Sequence, residues 1–305
     1  VVKQKFYNFD LNKYNFIKIN FKNTNIMKKM EQIFKNGKIY IDIEYKVELY
    51  ESNILTLIKF IHDTNIKPAG WINIQNYVID KNIINIDYKD IKPIENRYFA
   101  PFKILSFDIE CRSHDRISFP SYYKIEDKII QIGLAIMKYN KPEIEKILLT
   151  LGNCNDIEDT KVIIYETEKD LLIGFSNIIN EIDPDIITGY NIFGFDEEYI
   201  YKRAKLCGVK DYILDLSRTY KKDSHYIVNT LSSSAMGDNE LKYIEMRGRV
   251  QIDLLKVVQK EEKLSSYKLD FVSEYMIEGK IIKIESNKIY ITNVDLLNKG
   301  NYVKI

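Results

Sequence analysis

Cysteine, histidine, proline and tryptophan are all scarce in this chain of 305 residues. Its three cysteines, Cys111, Cys154 and Cys207, lie far apart. An odd and dispersed set offers no disulfide framework and no paired zinc spacing, and it fits free thiols in a reducing compartment. His62, His114 and His225 are equally scattered and read as surface or capping residues, not as a ligand set. No apolar run approaches the roughly 18 residues of a membrane span, and the first ten residues, VVKQKFYNFD, hold no apolar block of a signal peptide. Excess charge is missing as well: 45 Lys and Arg against 44 Asp and Glu leave a net charge of +1. That balance counts against holding nucleic acid by bulk charge, although it leaves room for a local basic groove.

What is present describes a folded protein. Hydrophobic residues at 45% and charged residues at 29% argue for a globular chain, and the length suggests two domains. Ile, Lys, Asn and Tyr are abundant. Lys and Asn are not strand formers, so this bias points to an AT-rich coding sequence more than to β structure. Residues 1–100 read as a β-rich N-terminal domain. Residues 38–50 alternate with period two, placing Ile39, Ile41, Ile43, Tyr45, Val47 and Leu49 on one face. Ile17, Ile19 and Phe21 suggest another strand, and Ser52 is a candidate N-cap for a helix carrying Ile54, Leu55, Ile58 and Ile61. Residues 96–101 read as a linker that Pro101 closes.

Beyond that linker, strands and helices alternate. Residues 102–109 and 128–138 are apolar strand candidates. Thr167 is positioned to cap a helix whose stripe is Leu171, Leu172, Phe175, Ile178, Ile179 and Ile182. Residues 185–188 make a short strand, and a helix over about 195–206 ends at Gly208. Residues 250–258 and 270–278 read as partly helical, and residues 282–291 as a hairpin. The expected class is α/β, with a mixed central sheet over residues 101–278 and a hairpin segment over 279–305. The final residues, 302–305, are strand-like and uncapped, which suggests a piece of a longer protein.

Two segments carry chemistry. In Ser106-Phe107-Asp108-Ile109-Glu110 the two acids stand two residues apart, so on a strand they project from one face. Paired carboxylates in a poorly solvated setting repel, and a proton or a divalent cation such as Mg2+ or Mn2+ relieves them. Taken alone, an Asp-x-Glu at a strand end is more often an end that reaches solvent. The second segment runs from Asp183 to Asp196, a strand followed by a glycine-containing loop and a helix start. Asp196 is either a first-turn acid favoured by the helix dipole or a third carboxylate facing Asp108 and Glu110. Asn191 either fixes the loop or touches a ligand.

Together the two segments resemble the first two exonuclease motifs of family B DNA polymerases, of the eukaryotic delta type. The resemblance extends to Tyr50-Glu51-Ser52-Asn53, to Asp63-Thr64-Asn65-Ile66 with Trp71-Ile72, to Gly248-Arg249-Val250-Gln251-Ile252-Asp253, and to Leu264-Ser265-Ser266-Tyr267-Lys268-Leu269. It covers most of residues 50–280, and the composition would suit a large DNA virus. It implies an RNase H-like 3′–5′ exonuclease domain over residues 101–278. Asp108, Glu110 and Asp196 would be the catalytic and metal-holding residues, with two Mg2+ or Mn2+ ions, hydrolysing a phosphodiester at a DNA 3′ end. Asn191 and Phe195 would touch that DNA. The implied partners are single-stranded primer DNA, the palm, fingers and thumb of the same chain, and a processivity factor, at an intracellular site of replication.

One departure stands out. The family carries a third motif, a Tyr and an Asp separated by three residues, downstream of the second, and none follows Asp196. Tyr123 and Asp127 have that spacing but lie too early, and Asp253, a candidate stand-in carboxylate, matches a different family position and reads as structural. The expectation is therefore that these 305 residues alone have little nuclease activity. A stand-alone nuclease and a non-catalytic DNA-binding module remain as alternatives. Basic residues cluster in the first 38 positions and again at Lys202, Arg203, Lys205, Lys210, Arg218, Lys221 and Lys222, on either side of an acidic stretch over 181–198. Each cluster is either a solvated face or a surface tracking a DNA backbone. Phe119, Tyr122, Tyr123, Tyr190 and Phe193 are candidates for stacking on unpaired bases, or are core residues.

Overall fold

The computed structural model describes residues 1–4, 11–36, 49–80, 83–219, 224–233, 237–277, 279–286 and 288–292. Most of the alternating segment 38–50, Lys221, Lys222 and residues 302–305 lie outside them. The chain divides into two compact units, Val1–Tyr98 and Phe99–Ile305.

The described part of the first unit is not simply β-rich. It holds two helices, Thr24–Lys35 and Thr56–Thr64, beside three short two-stranded ribbons. Asn23 caps the first helix, its side chain accepting from the Ile26 amide. Ser52 does not cap the second. That helix starts at Thr56 behind Leu55, and the Ser52 hydroxyl donates to Glu31 instead. The expected strand at Ile17, Ile19 and Phe21 does not form; the strand nearby is Lys13–Asn15, which pairs with Val2–Gln4.

The second unit is built on six strands. These are β1 (Lys103–Arg112), β2 (Lys128–Lys138), β3 (Ile144–Leu151), β4 (Thr160–Tyr165), β5 (Ile186–Gly189) and, after a hairpin of β6 (Tyr226–Ser233) and β7 (Gly237–Ile244), β8 (Val250–Asp253). Their order across the sheet is β4-β3-β2-β1-β5-β8. β1, β2 and β3 are antiparallel neighbours, whereas β4 runs parallel to β3, and β5 lies parallel to both β1 and β8. The helices are α1 (Glu168–Ile182), α2 (Asp196–Leu206), α3 (Lys210–Ile213), α4 (Leu254–Glu261) and α5 (Leu269–Ile277), and a second hairpin joins β9 (Ile281–Glu285) to β10 (Lys288–Ile291). Among the described residues no helix is long and apolar enough to cross a membrane.

Alternation decides which face of β1 is covered. Leu105, Phe107 and Ile109 are buried, while Asp108 and Glu110 are exposed. The buried set joins Ile132, Leu134 and Ile136 of β2, Leu171, Phe175 and Ile179 of α1, and Tyr199 and Ile200 of α2 in one core. Phe107 meets Phe175 with ring centroids 5.7 Å apart. Burying each such side chain contributes about 1.5–3 kcal/mol. α1 starts where its cap predicts: the Thr167 hydroxyl oxygen accepts from the Asp170 amide. It ends at Asp183, which takes the left-handed conformation at φ 51°.

Residues 250–258, read from the sequence as helical in part, divide at Asp253. Val250–Asp253 is a strand because its backbone pairs in parallel with β5, Ile187 against Gln251 and Gly189 against Asp253. Helix begins only at Leu254, capped by the Asp253 side chain. Strands β3 and β4 and the β6–β7 hairpin have no counterpart in the sequence reading.

Candidate active site

The site candidates sit at the C-terminal end of β1 and the start of α2. Asp108 and Glu110 project from the open face of β1, with Gly133 and Gln131 of β2 opposite them. The register slips just after Glu110, where Ile130 has no partner and Cys111 faces Ile129. Such a bulge re-aims the side chains beside it. The strand is buried on one side only, so the sequence picture of two carboxylates sunk together in low dielectric does not hold for Asp108 and Glu110.

Asp196 is the buried one, 2% exposed. It is the first residue of α2, yet it does not cap its own helix. Its Oδ1 instead accepts from the Ile109 amide, between the two β1 acids, at 3.2 Å. The loop that delivers it is built with little freedom. Gly189 passes so close to β1 that a Cβ there would lie 2.6 Å from the Phe107 carbonyl oxygen and 2.5 Å from Ile192. Asn191 then takes φ 64°, and its carbonyl accepts the amides of Gly194 and Phe195 at 2.9 and 3.0 Å. Its side chain lies over Gly194, where an added Cβ would come within 2.2 Å of Oδ1.

Asp253 secures this loop from the neighbouring strand. It is buried, and its carboxylate accepts three amides, from Asn191 at 2.8 Å, Phe193 at 3.1 Å and Leu255 at 3.0 Å. Its oxygens are therefore committed to holding the turn in front of Asp196. Asp127 plays a similar part for the loop after β1. It is enclosed, and it accepts the amides of His114 at 2.9 Å and Ser121 at 2.8 Å. Tyr123, four residues before it, is 75% exposed, so the two form no joint site.

The electrostatics follow from this burial. Desolvation, and then the charge of Asp108, push the Asp196 carboxyl up to about 7. Desolvation also raises Asp108, an effect partly offset by the Ile109 amide. The next residue, Glu197, is fully enclosed and is pushed up to about 8 by burial. Its oxygens accept from the Ile244 amide at 2.6 Å and from Gln251 Nε2 at 3.0 Å. Burial and the charge of Asp196 push the Cys111 thiol up to about 12, which leaves it inert as a nucleophile.

All-oxygen, mutually repelling donors suit Mg2+ or Mn2+. The fit is partial. Among the described residues no three His, Cys, Asp or Glu side chains gather closely enough to hold a metal ion. The structure brings Asp196 to Asp108 and leaves Glu110 as a neighbour on the same strand face.

Two members of the proposed basic surface are engaged elsewhere. Arg203 is 1% exposed. It clasps Glu168 through Nε at 2.8 Å and Nη2 at 2.5 Å, and it donates to the Lys124 and Ile125 carbonyls. Arg218 spans Asp183 at 2.8 Å and Asp185 at 2.7 Å, so it serves the start of β5. The sequence reading took both for surface charge and passed over Glu197 entirely. Of the aromatic candidates, Tyr190 donates to the Tyr267 carbonyl at 2.6 Å, and Phe193 packs on Tyr243. Tyr122 is half-buried against Tyr199. Phe119 is 77% exposed and meets Phe195 edge-on at 5.5 Å.

Comparison with known proteins identifies the family of the chain. The family model of the family B DNA polymerase exonuclease domain matches residues 47–272. A DNA polymerase of Pyramimonas orientalis virus is 30% identical, over all of this chain and 37% of its own length. A DNA polymerase of Acanthamoeba polyphaga mimivirus is 35% identical, over 93% of this chain and 21% of its own. The DNA polymerase delta catalytic subunit of Schizosaccharomyces pombe is 32% identical, over 92% of this chain and 27% of its own. The chain thus spans between about a fifth and two fifths of these relatives. With three quarters of its residues under one family model, the chain belongs to the exonuclease-domain family of the family B DNA polymerases.

Proposed function

We propose that Asp108, Glu110 and Asp196 form the 3′–5′ exonuclease site of a replicative DNA polymerase, which removes mispaired nucleotides from a primer end. The observation that carries this reading is the placement of buried Asp196 on the Ile109 amide, between the two β1 acids. Divalent Mg2+ or Mn2+ at these carboxylates would supply an activated water and stabilise the leaving 3′ oxygen. The residues themselves do the rest. Asp108 and Glu110 face the open side of the sheet, from which a single strand approaches. Asp253 and Asn191 hold the turn that sets Asp196, and exposed Phe119, resting on Phe195, offers a face to an unpaired base. The wider roles are part of the same proposal: a polymerase domain elsewhere in the full protein, a processivity partner, and action inside the cell where DNA is copied.

The test uses the full-length protein. Asp108→Ala and Asp196→Asn each abolish metal-dependent release of nucleotides from a single-stranded 3′ end and leave primer extension largely intact. Equal loss of extension would sink the separation of roles. A second reading, a non-catalytic DNA-binding module, is favoured by one observation, the absence of a gathered metal-ligand trio among the described residues. It predicts strand binding without release. On the nuclease reading, residues 1–305 alone release few nucleotides because no third motif follows Asp196, and robust release by that piece would overturn this expectation of inactivity while supporting the reading itself.

A further inference from the structure

Glu197 is fully enclosed, and the proposed hydrolysis makes no use of it. It is the second residue of α2, directly after Asp196. Its carboxyl reaches two other elements, taking the Ile244 amide at 2.6 Å and Gln251 Nε2 at 3.0 Å. Ile244 is the last residue of β7 and pairs with Tyr226, so it marks the base of the β6–β7 hairpin. Gln251 lies on β8.

The same hairpin base is fastened to α2 and its loop at further points. The Lys242 amide donates to the Phe193 carbonyl at 3.0 Å, and Lys242 Nζ pairs with Glu198 at 3.0 Å. Tyr226 stacks on Tyr201 with centroids 4.3 Å apart and planes within 6°. Burying an acid in the first turn is costly, and an apolar residue there would be simpler to bury. Such a residue would leave the enclosed Ile244 amide without its acceptor. The carboxyl therefore has a structural task that only an acceptor of its length performs.

We propose that Glu197 is a positioning residue. By clasping Ile244 and Gln251 it locks the first turn of α2, and with it the Asp196 carboxyl, to the base of the β6–β7 hairpin. The hairpin and Asp196 then move as one body, so a displacement of the hairpin is felt at the site. This proposal rests on the exonuclease reading of Asp196, and the experiment separates the two.

In the full-length protein, Glu197→Ala and Glu197→Gln are compared with the native chain at a temperature where all three are folded. Two quantities are read: kcat and KM for Mg2+-dependent release from a single-stranded oligonucleotide, and metal-free amide hydrogen exchange at Ile244 and Tyr199. The alanine variant is expected to lose roughly tenfold or more in kcat with KM within about twofold, because a small misplacement of a reacting group costs rate before affinity. Its Ile244 and Tyr199 amides exchange faster. The glutamine variant, which keeps an acceptor of the same length, restores both kcat and protection. An unchanged kcat in the alanine variant, a loss confined to KM, a glutamine variant as impaired as alanine, or unchanged exchange at Tyr199 would each overturn the proposal. If the native protein releases no nucleotides, the exonuclease reading fails, and exchange at Tyr199 alone then decides the coupling.

Discussion

Replacing Glu197 by glutamine should stabilise this protein at neutral pH, by an amount that grows with pH. The carboxyl titrates at an ordinary 4.5 when unfolded and at about 8 when folded. A carboxyl raised in this way supports the fold fully below 4.5, and that support is lost as pH climbs towards the folded value. Each pH unit in between is worth about 1.4 kcal/mol. Native protein therefore falls behind the glutamine variant by about 3 kcal/mol at pH 7 and by about 4 kcal/mol at pH 8, and the gap levels at about 5 kcal/mol above about pH 9. Glutamine keeps the bond from the Ile244 amide, and a flip of the Gln251 amide supplies an acceptor for its new donor, so little is lost in exchange. Urea unfolding followed by far-UV circular dichroism, in chelator at pH 5, 6, 7 and 8, reads the gap directly. A gap that is constant across that range would show that Glu197 is ionised in the folded chain, and the argument from burial would fail.

Three further substitutions follow from the same geometry. Arg203→Leu leaves Glu168 buried without its cation, and unfolding measurements should show a loss of about 3–5 kcal/mol. Asp253→Ala removes the acceptor of three amides, two of them in the loop before Asp196. A loss of about 2–4 kcal/mol is expected, with Asp253→Asn milder because its carbonyl oxygen still accepts. Gly189→Ala pushes a methyl group against the Phe107 carbonyl and Ile192, and a thermal-melt loss of about 1–3 kcal/mol is expected. Wild-type melting of the alanine variant would show that β1 and the loop yield.

Much of the second unit was readable from local pattern. β1 and β2 stand out as apolar runs, and Thr167 with its apolar stripe announces α1. The motif acids stand out only in combination: a lone Asp-x-Glu at a strand end is more often an end that reaches solvent, and the Asp183 to Asp196 segment is what makes the pair specific. What escaped reading depends on distant partners. Val250–Asp253 is part of an apolar stretch that suits a helix, and only its pairing with β5, more than 60 residues earlier in sequence, makes it a strand. Arg203 and Glu197 sit among charged neighbours in α2 and look solvated. Their burial is set by Glu168, 35 residues before Arg203, and by Ile244 and Gln251, 47 and 54 residues after Glu197. Asp253 was rightly set apart from the motif acids as structural, although its hold on Asn191 and Phe193 could be seen only in three dimensions.

The strain at Asp196 offers a test of metal binding that requires no catalysis. Its carboxyl is displaced from 3.8 to about 7 by burial and by Asp108. Without a cation, raising the pH from 4 to 8 therefore ionises Asp196 at a net cost of up to about 4 kcal/mol to the fold. A divalent ion accepted by these carboxylates binds the ionised form and returns part of that cost. At ten times its dissociation constant the ion contributes about 1.4 kcal/mol. Mg2+ should accordingly raise the melting temperature of the native chain at pH 8 and have little effect at pH 5, where protons occupy the site. Asp196→Asn should be more stable than the native chain in chelator at pH 8 and should lose the Mg2+ response. A Mg2+ effect of equal size at both pH values, or one that survives in Asp196→Asn, would place the ion elsewhere. No effect at pH 8 would mean that Asp108, Glu110 and Asp196 do not hold a cation within this chain, which is what the non-catalytic reading requires.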